Sequence, residues 1–307
     1  MSRIRSLYLP HVVAFCFAVV VAPITQADTP DDTSRTFDRY SWVTTHNAFT
    51  SNGAFPNQDQ TIDEQLASGV RSFMIDLHTY GDRVALCHNA CVRTPVPFAD
   101  LVNDTLLPFL ARDPKAVISL HLEDFTSADD LVAELDKAPG LAGMTFDPGA
   151  WKTPGWPTYQ AIVASGQRIL VFTLNNANSG AIKTEAGELH FMRSDAFTVE
   201  NYWSLGLPVV EHDYRCVSRW EDVPLGTRDV DGKPGWPRLF TMNHFHDVST
   251  PVTRWHVQAD NAFDRLHSRY LEHCEPAAKR KANFVAVDFH QDGETAKFVD
   301  WLNVSVE

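Results

Sequence analysis

Arg168-Ile169-Leu170-Val171-Phe172-Thr173 is apolar at four successive positions, so both faces of an extended segment would be greasy. An alternating pattern would mark a half-solvated strand; a continuous one marks a strand buried on both sides, as in a parallel sheet covered by helices. Working outward, Trp42–Thr45, Ser72–Leu77, Val117–Leu122, Pro208–Glu211, Leu239–Asn243 and Phe284–Phe289 read as further strands. Helix signals lie between them. Thr61-Ile62-Asp63-Glu64 is a capping box with Gly69 beyond its end, Ser127 caps a segment carrying Leu131, Val132 and Leu135, and Thr295 to Leu302 reads as a terminal helix. Repeated βα units without a composition break predict one α/β domain, its parallel sheet closed as a barrel. An open doubly wound sheet is the alternative. No Gly-x-Gly-x-x-Gly follows any strand, which speaks against a dinucleotide site.

The chain has 307 residues, 44% hydrophobic and 21% charged, with a formal net charge of −13. That is ample material for a core, and the acidic balance argues against nucleic acid as a partner and against tight electrostatic docking on anionic membrane. Residues 1–27 read as a secretory signal peptide. Arg3 and Arg5 open it, an apolar run follows, and Thr25-Gln26-Ala27 offers small residues for cleavage. Residues 28–40 form an N-terminal segment and 41–307 the barrel. Export, extracellular or periplasmic, suits the four remaining cysteines, which allow three connectivities. Cys87 and Cys91 are close enough to clip one short loop, leaving Cys216 to join Cys274; zinc is the rival reading, without paired Cys-x-x-Cys units in its favour. The stretches Gly149–Pro157 and Gly226–Pro237, rich in Gly, Pro and Trp, read as long surface loops.

In such barrels the chemistry sits at the C-terminal strand ends. Those ends carry His46-Asn47, Asp76-Leu77-His78, His88-Asn89 and Glu123-Asp124. A histidine pair supplies both a base and an acid near neutral pH, which suits phosphodiester cleavage. Oxygens of Asn47, Asp76 and Glu123 suit a hard cation, Ca²⁺ or Mg²⁺, which would offset the repulsion between two carboxylates and a phosphate. His121, two residues before Glu123, reads as a core hydrogen-bonder. His244-x-His246-Asp247 matches half of a binuclear zinc motif whose other half is missing.

Thr45-His46-Asn47-Ala48-Phe49, Gly69-Val70-Arg71-Ser72-Phe73-Met74-Ile75-Asp76 and Leu86-Cys87-His88 resemble the X-domain of phosphatidylinositol-specific phospholipase C. The chain is similar to the secreted, single-domain phospholipase-C-like phosphodiesterases of plants, fungi and bacteria. The resemblance runs on through Glu123-Asp124, Arg168–Thr173, Val209–Glu211, Leu239–Asn243 and Asn283–Phe289, most of the mature chain. It implies a single TIM-type (β/α) barrel, distorted or incompletely closed in some members, His46 and His88 in catalysis, and Asp288 orienting His46. The metal-independent members place arginine where Asp76 stands; the calcium-dependent members place Asp there, with matches at Asn47 and Glu123. Met74 departs from that second pattern, where those enzymes carry a glutamate ligand.

Arg71, Glu211 and Tyr214 are expected to bind substrate, the last two lining a headgroup pocket. Asp76 and Glu123 have a second reading as rim carboxylates paired with Arg71 or Arg93. The expected partner is a phospholipid or soluble phosphodiester, with transient contact at a membrane surface through Trp and Phe of the Gly/Pro/Trp loops. The alternatives are a glycerophosphodiesterase or sphingomyelinase-D-like hydrolase, and a non-catalytic module binding inositol lipid or glycan.

Overall fold

A computed structural model describes residues 30, 32–51, 56–88, 91, 95–207, 212–246 and 251–306. The expected signal peptide, the strand expected at Pro208–Glu211, and Glu211, Arg93, Asn89 and Asp247 lie outside the described residues. The strands are β1 (Trp42–Thr45), β2 (Ser72–Tyr80), β3 (Arg83–Leu86), β4 (Ile118–Asp124), β5 (Ile169–Thr173), β6 (Gly180–Thr184), β7 (Gly187–Arg193), β8 (Thr198–Glu200), β9 (Asp229–Val230), β10 (Lys233–Pro237), β11 (Leu239–His244) and β12 (Phe284–Val287).

The main sheet runs β6-β7-β5-β4-β2-β1-β12-β11-β8, with β3 added to β2. From β7 to β8 every neighbouring pair is parallel. This is the barrel sheet, and no ladder joins β7 to β8 among the described residues. The apolar runs behave as expected: every residue of β1, β5 and β12 is buried. The capping box forms, with the Thr61 hydroxyl accepting from the Glu64 amide and Glu64 accepting from the Thr61 amide, and Ser127 caps the helix Ala128–Leu135. No described helix is long and apolar enough to cross a membrane.

At the N-terminal ends of the strands an aromatic cluster closes the barrel floor: Phe37, Tyr40, Trp42, Phe146, Trp156, Tyr159 and Trp236. Here the reading of Gly149–Pro157 and Gly226–Pro237 as surface loops is corrected. Trp156 and Trp236 are 2% exposed, with ring centroids 4.9 Å apart. Their indole N–H groups donate across to Pro237 O and Thr153 O. A Cβ on Gly235 would sit 2.6 Å from Pro154 O, so only glycine lets the two loops meet this closely. Their rings are packing and present no lipid-facing surface. Phe37 and Tyr40 of the N-terminal segment belong to the same floor. Two disulfides form, Cys87–Cys91 just after β3 and Cys216–Cys274 joining the loop after β8 to the helical segment before β12, the expected pairing.

Candidate active site

Register alone assembles the rim. β1 pairs with β12 so that Thr45 faces Val287, which sets the next residues, His46 and Asp288, side by side. The His46 amide donates to Val287 O at 3.0 Å, and His46 Nδ1 lies 2.7 Å from Asp288 Oδ1. β2 pairs with β4 so that Asp76 faces Glu123. Asn47 follows in left-handed backbone, φ 43°, which turns the chain off the strand.

Asp288 orients His46 and does not cap the next helix, whose preceding residue is Glu294. Asp288 also accepts from Asn57 Nδ2 at 3.0 Å, and Gln58 Nε2 donates to both His46 O and Val287 O. The His46 ring lies flat on Phe245, centroids 3.7 Å apart. An imidazole held by a carboxylate at Nδ1 and by an aromatic face, on a backbone pinned by Gln58, has one orientation and presents Nε2 outward. Nothing in the sequence marked Asn57, Gln58 or Phe245; their partners are remote in the chain.

Asp76 is buried, and its pKa is pushed up to about 7, chiefly by burial and then by Glu123, with His46 and Arg219 opposing. His88 stands exposed on the loop after β3, below the ordinary imidazole range through desolvation and then His46, while Glu123 and Asp288 pull the other way. These mutual influences put His46, Asp76, His88, Glu123 and Asp288 in one field.

Among the described residues, a cation the sequence did not disclose enters that field. Arg219, on the loop after β8, reaches Glu123 Oε1 at 2.5 Å and Glu200 Oε1 at 2.9 Å. Glu200 in turn accepts from Asn243 Nδ2 at 2.6 Å. Burial works against the guanidinium charge, yet Glu200 and Glu123 hold it above its ordinary range.

Arg71 is corrected. It precedes β2, five residues or about 16 Å of strand from Asp76, at the opposite end of the barrel. It is buried there, donating to Leu66 O and Val70 O, 3.6 Å from Asp113 and stacked over Phe109. So placed, it packs the end of the barrel away from the rim and does not pair with Asp76 or Glu123. Tyr214 joins a different group: its hydroxyl is 2.8 Å from His212 Nδ1. His121 is in the core as expected, but between the rings of Phe172 and Phe284, where burial drops its pKa to about 3; its Nε2 has no hydrogen-bond partner among the described residues. His78 stacks on Phe125.

Asn47, Asp76 and Glu123 fit a hard cation in donor chemistry. Asn47 spends its amide nitrogen on Asn57, leaving the carbonyl end as the donor, and Asp76 and Glu123 raise one another's need for positive charge. One oxygen of Glu123 is already taken by Arg219.

Comparison with known proteins places the chain in a family. Residues 33–204 match the PI-PLC X 1 family model, and the chain belongs to that family. A PI-PLC X domain-containing protein of Arabidopsis thaliana is 28% identical across 87% of this chain, which spans 62% of that protein. PI-PLC X domain-containing protein 1 of Arthroderma benhamiae is 26% identical, covering 89% of this chain and 88% of that one. An uncharacterized secreted protein of the same fungus is 21% identical over 85% of this chain and 59% of its own length. Among solved structures, a mutant of the phosphatidylinositol-specific phospholipase C from Staphylococcus aureus superposes with a TM-score of 0.53 at 13% identity, covering 90% of this chain and 97% of that one. That likeness establishes the α/β barrel fold.

Proposed function

We propose that the chain is an exported phosphodiesterase that cleaves an inositol phospholipid or a related phosphodiester by acid–base catalysis. The observation that carries this reading is the 2.7 Å His46–Asp288 bond beside the facing carboxylates Asp76 and Glu123. Asp288 accepts the Nδ1 proton, so the Nε2 lone pair of His46 is available to a substrate hydroxyl. The hydroxyl next to the phosphate, the 2-hydroxyl in inositol, gives its proton to His46 as its oxygen bonds to phosphorus. The bond from phosphorus to the lipid alcohol breaks, and His88 donates a proton to that oxygen. A cyclic phosphate and a neutral alcohol leave.

Charge building on the phosphoryl oxygens needs a cation. Arg219 is a resident one. A Ca²⁺ or Mg²⁺ ion held by Asn47, Asp76 and Glu123 would supply further positive charge, and Met74, without a hard donor, makes that site one carboxylate poorer. Surface contact is supported by the exposed apolar side chains: Phe125 follows β4, Tyr202 and Leu207 follow β8, and Trp255, 79% exposed, follows β11. All stand beyond C-terminal strand ends, on the side of Asp76. Export is supported by both disulfides and by the secreted name of one fungal relative.

The test is product analysis on a panel of phosphodiesters with Ca²⁺, Mg²⁺ or chelator. Cyclic inositol phosphate supports the reading. A free headgroup points to the glycerophosphodiesterase or sphingomyelinase-D class, and binding without turnover to a non-catalytic module.

A further inference from the structure

Beside the His46 pair lies a second group of polar side chains that the proposed cleavage does not use. His246 follows β11, Asp260 ends the helix Pro251–Asp260, and His212 lies on the loop after β8. One donor atom from each lies within 4.8 Å of the others. His246 Nε2 is 2.9 Å from Asp260 Oδ2, and His212 Nδ1 is 3.6 Å from Asp260 Oδ1. Donors bound to zinc at 2.0–2.1 Å with tetrahedral angles stand about 3.3 Å apart, and the two spacings straddle that value.

The surroundings are those of ligands held in place. His246 Nδ1 faces Gly206 O at 3.0 Å, the backbone bond that fixes which ring nitrogen is presented inward. Both nitrogens of that ring therefore face oxygen atoms, Nδ1 toward Gly206 O and Nε2 toward Asp260 Oδ2. His244 is spent elsewhere: Arg269 donates to its Nδ1 at 2.8 Å, and its Nε2–H donates to Asp260 O at 3.0 Å, which fixes the backbone of the carboxylate. Asp260 is buried and turns one oxygen to each imidazole. A simple ion pair uses one imidazole; here a second is present, its Nδ1 also 2.8 Å from the Tyr214 hydroxyl, which an ion at that nitrogen would displace.

We propose that His212, His246 and Asp260 form a binding site for one zinc-class divalent ion, with water in the fourth position. Two imidazoles and one carboxylate suit zinc and its neighbours; Ca²⁺ and Mg²⁺ prefer all-oxygen sets such as Asn47, Asp76 and Glu123. The ion would tie the loop after β8 to the end of β11 and to the helix that carries Trp255.

The experiment uses the purified chain, stripped with a chelator and titrated with Zn²⁺ alone by calorimetry, with Co²⁺ as a spectroscopic probe of tetrahedral geometry. The expected result is one Zn²⁺ per chain, a tetrahedral Co²⁺ spectrum, and an affinity loss of about tenfold or more in both His212→Ala and Asp260→Asn. Asp76→Asn binds zinc as wild type does. Absence of one-equivalent Zn²⁺ binding overturns the proposal, as does binding that survives both variants or is lost in Asp76→Asn instead. Should Asp260→Asn fail to fold, the half-buried His212→Ala decides, its circular dichroism confirming the fold.

Discussion

Arg219 holds Glu123 at 2.5 Å and Glu200 at 2.9 Å, so one guanidinium from an irregular loop joins the ends of β4 and β8. Asp76 faces Glu123 across the ladder. Among the described residues Arg219 is thus a cation held at the rim beside the facing carboxylates, where it can meet the developing phosphate charge. Arg219→Met should lower kcat by about 10²–10³, the cost of removing one preorganised charge donor, with Arg219→Lys intermediate. Full activity in Arg219→Met shows that the charge comes from elsewhere. Asp76→Asn should raise the Ca²⁺ or Mg²⁺ concentration needed for half-maximal activity, read from metal titrations.

The pH profile follows from His88. As the acid it must be protonated, so kcat/KM falls as pH rises through its pKa. Desolvation and His46 depress that pKa, so the fall is expected below the ordinary imidazole value of about 6.5. Glu123 favours the protonated form, so Glu123→Gln should move the descending limb to still lower pH. A limb that stays in place in Glu123→Gln excludes His88 as the group it reports.

Stability has its own carboxylate. Glu134 is fully buried, bound by Arg83 Nε and Nη2 at 2.8 Å and by the amides of Val84 and Ala99. Burial opposes its charge, but these bonds outweigh it and depress the pKa. A depressed pKa stabilises the fold above the unfolded value, about 4.3 for Glu, and that stability drains as pH falls through the folded value. Glu134→Ala should cost about 1–3 kcal/mol, leaving the buried amides of Val84 and Ala99 without their acceptor while Arg83 keeps Asp100. Denaturant melts between pH 7 and the acid range check both: the variant's stability should fall less steeply with acid than the wild type's.

Trp255 is 79% exposed on the rim side. Trp255→Ala should weaken sedimentation with phosphatidylcholine vesicles several-fold while leaving cleavage of a soluble phosphodiester unchanged. Equal binding by variant and wild type removes this side chain from the membrane contact.

Much of the barrel was legible because strands buried on both faces leave continuous apolar runs, and because parallel register carries strand-end residues to one rim. His46, Asp76, Glu123 and Asp288 meet for that reason. Arg71 sits in a stretch that matches the family, yet it enters β2 at the far end, and only the strand's direction decides that. Arg219 lies on a loop without periodicity, and its partners Glu123 and Glu200 are far off in the chain. The β6–β7 hairpin escaped because its pattern alternates, Ile182 against Leu189 and Phe191, unlike the buried runs of the barrel. Trp156 and Trp236 look like loop residues by composition; two glycine-rich segments fold against one another to bury them.

The central claim is that His46 and His88 are the base and acid of a cyclising phosphodiester cleavage. Phosphorus NMR of phosphatidylinositol vesicles incubated with the wild-type chain, His46→Ala and His88→Ala tests it directly. The account predicts cyclic inositol phosphate from the wild type and about 10²–10⁴-fold slower release from each variant, both still folded. Near-normal release by either variant, or no cleavage by the wild type with Ca²⁺, with Mg²⁺ or without metal, would contradict it.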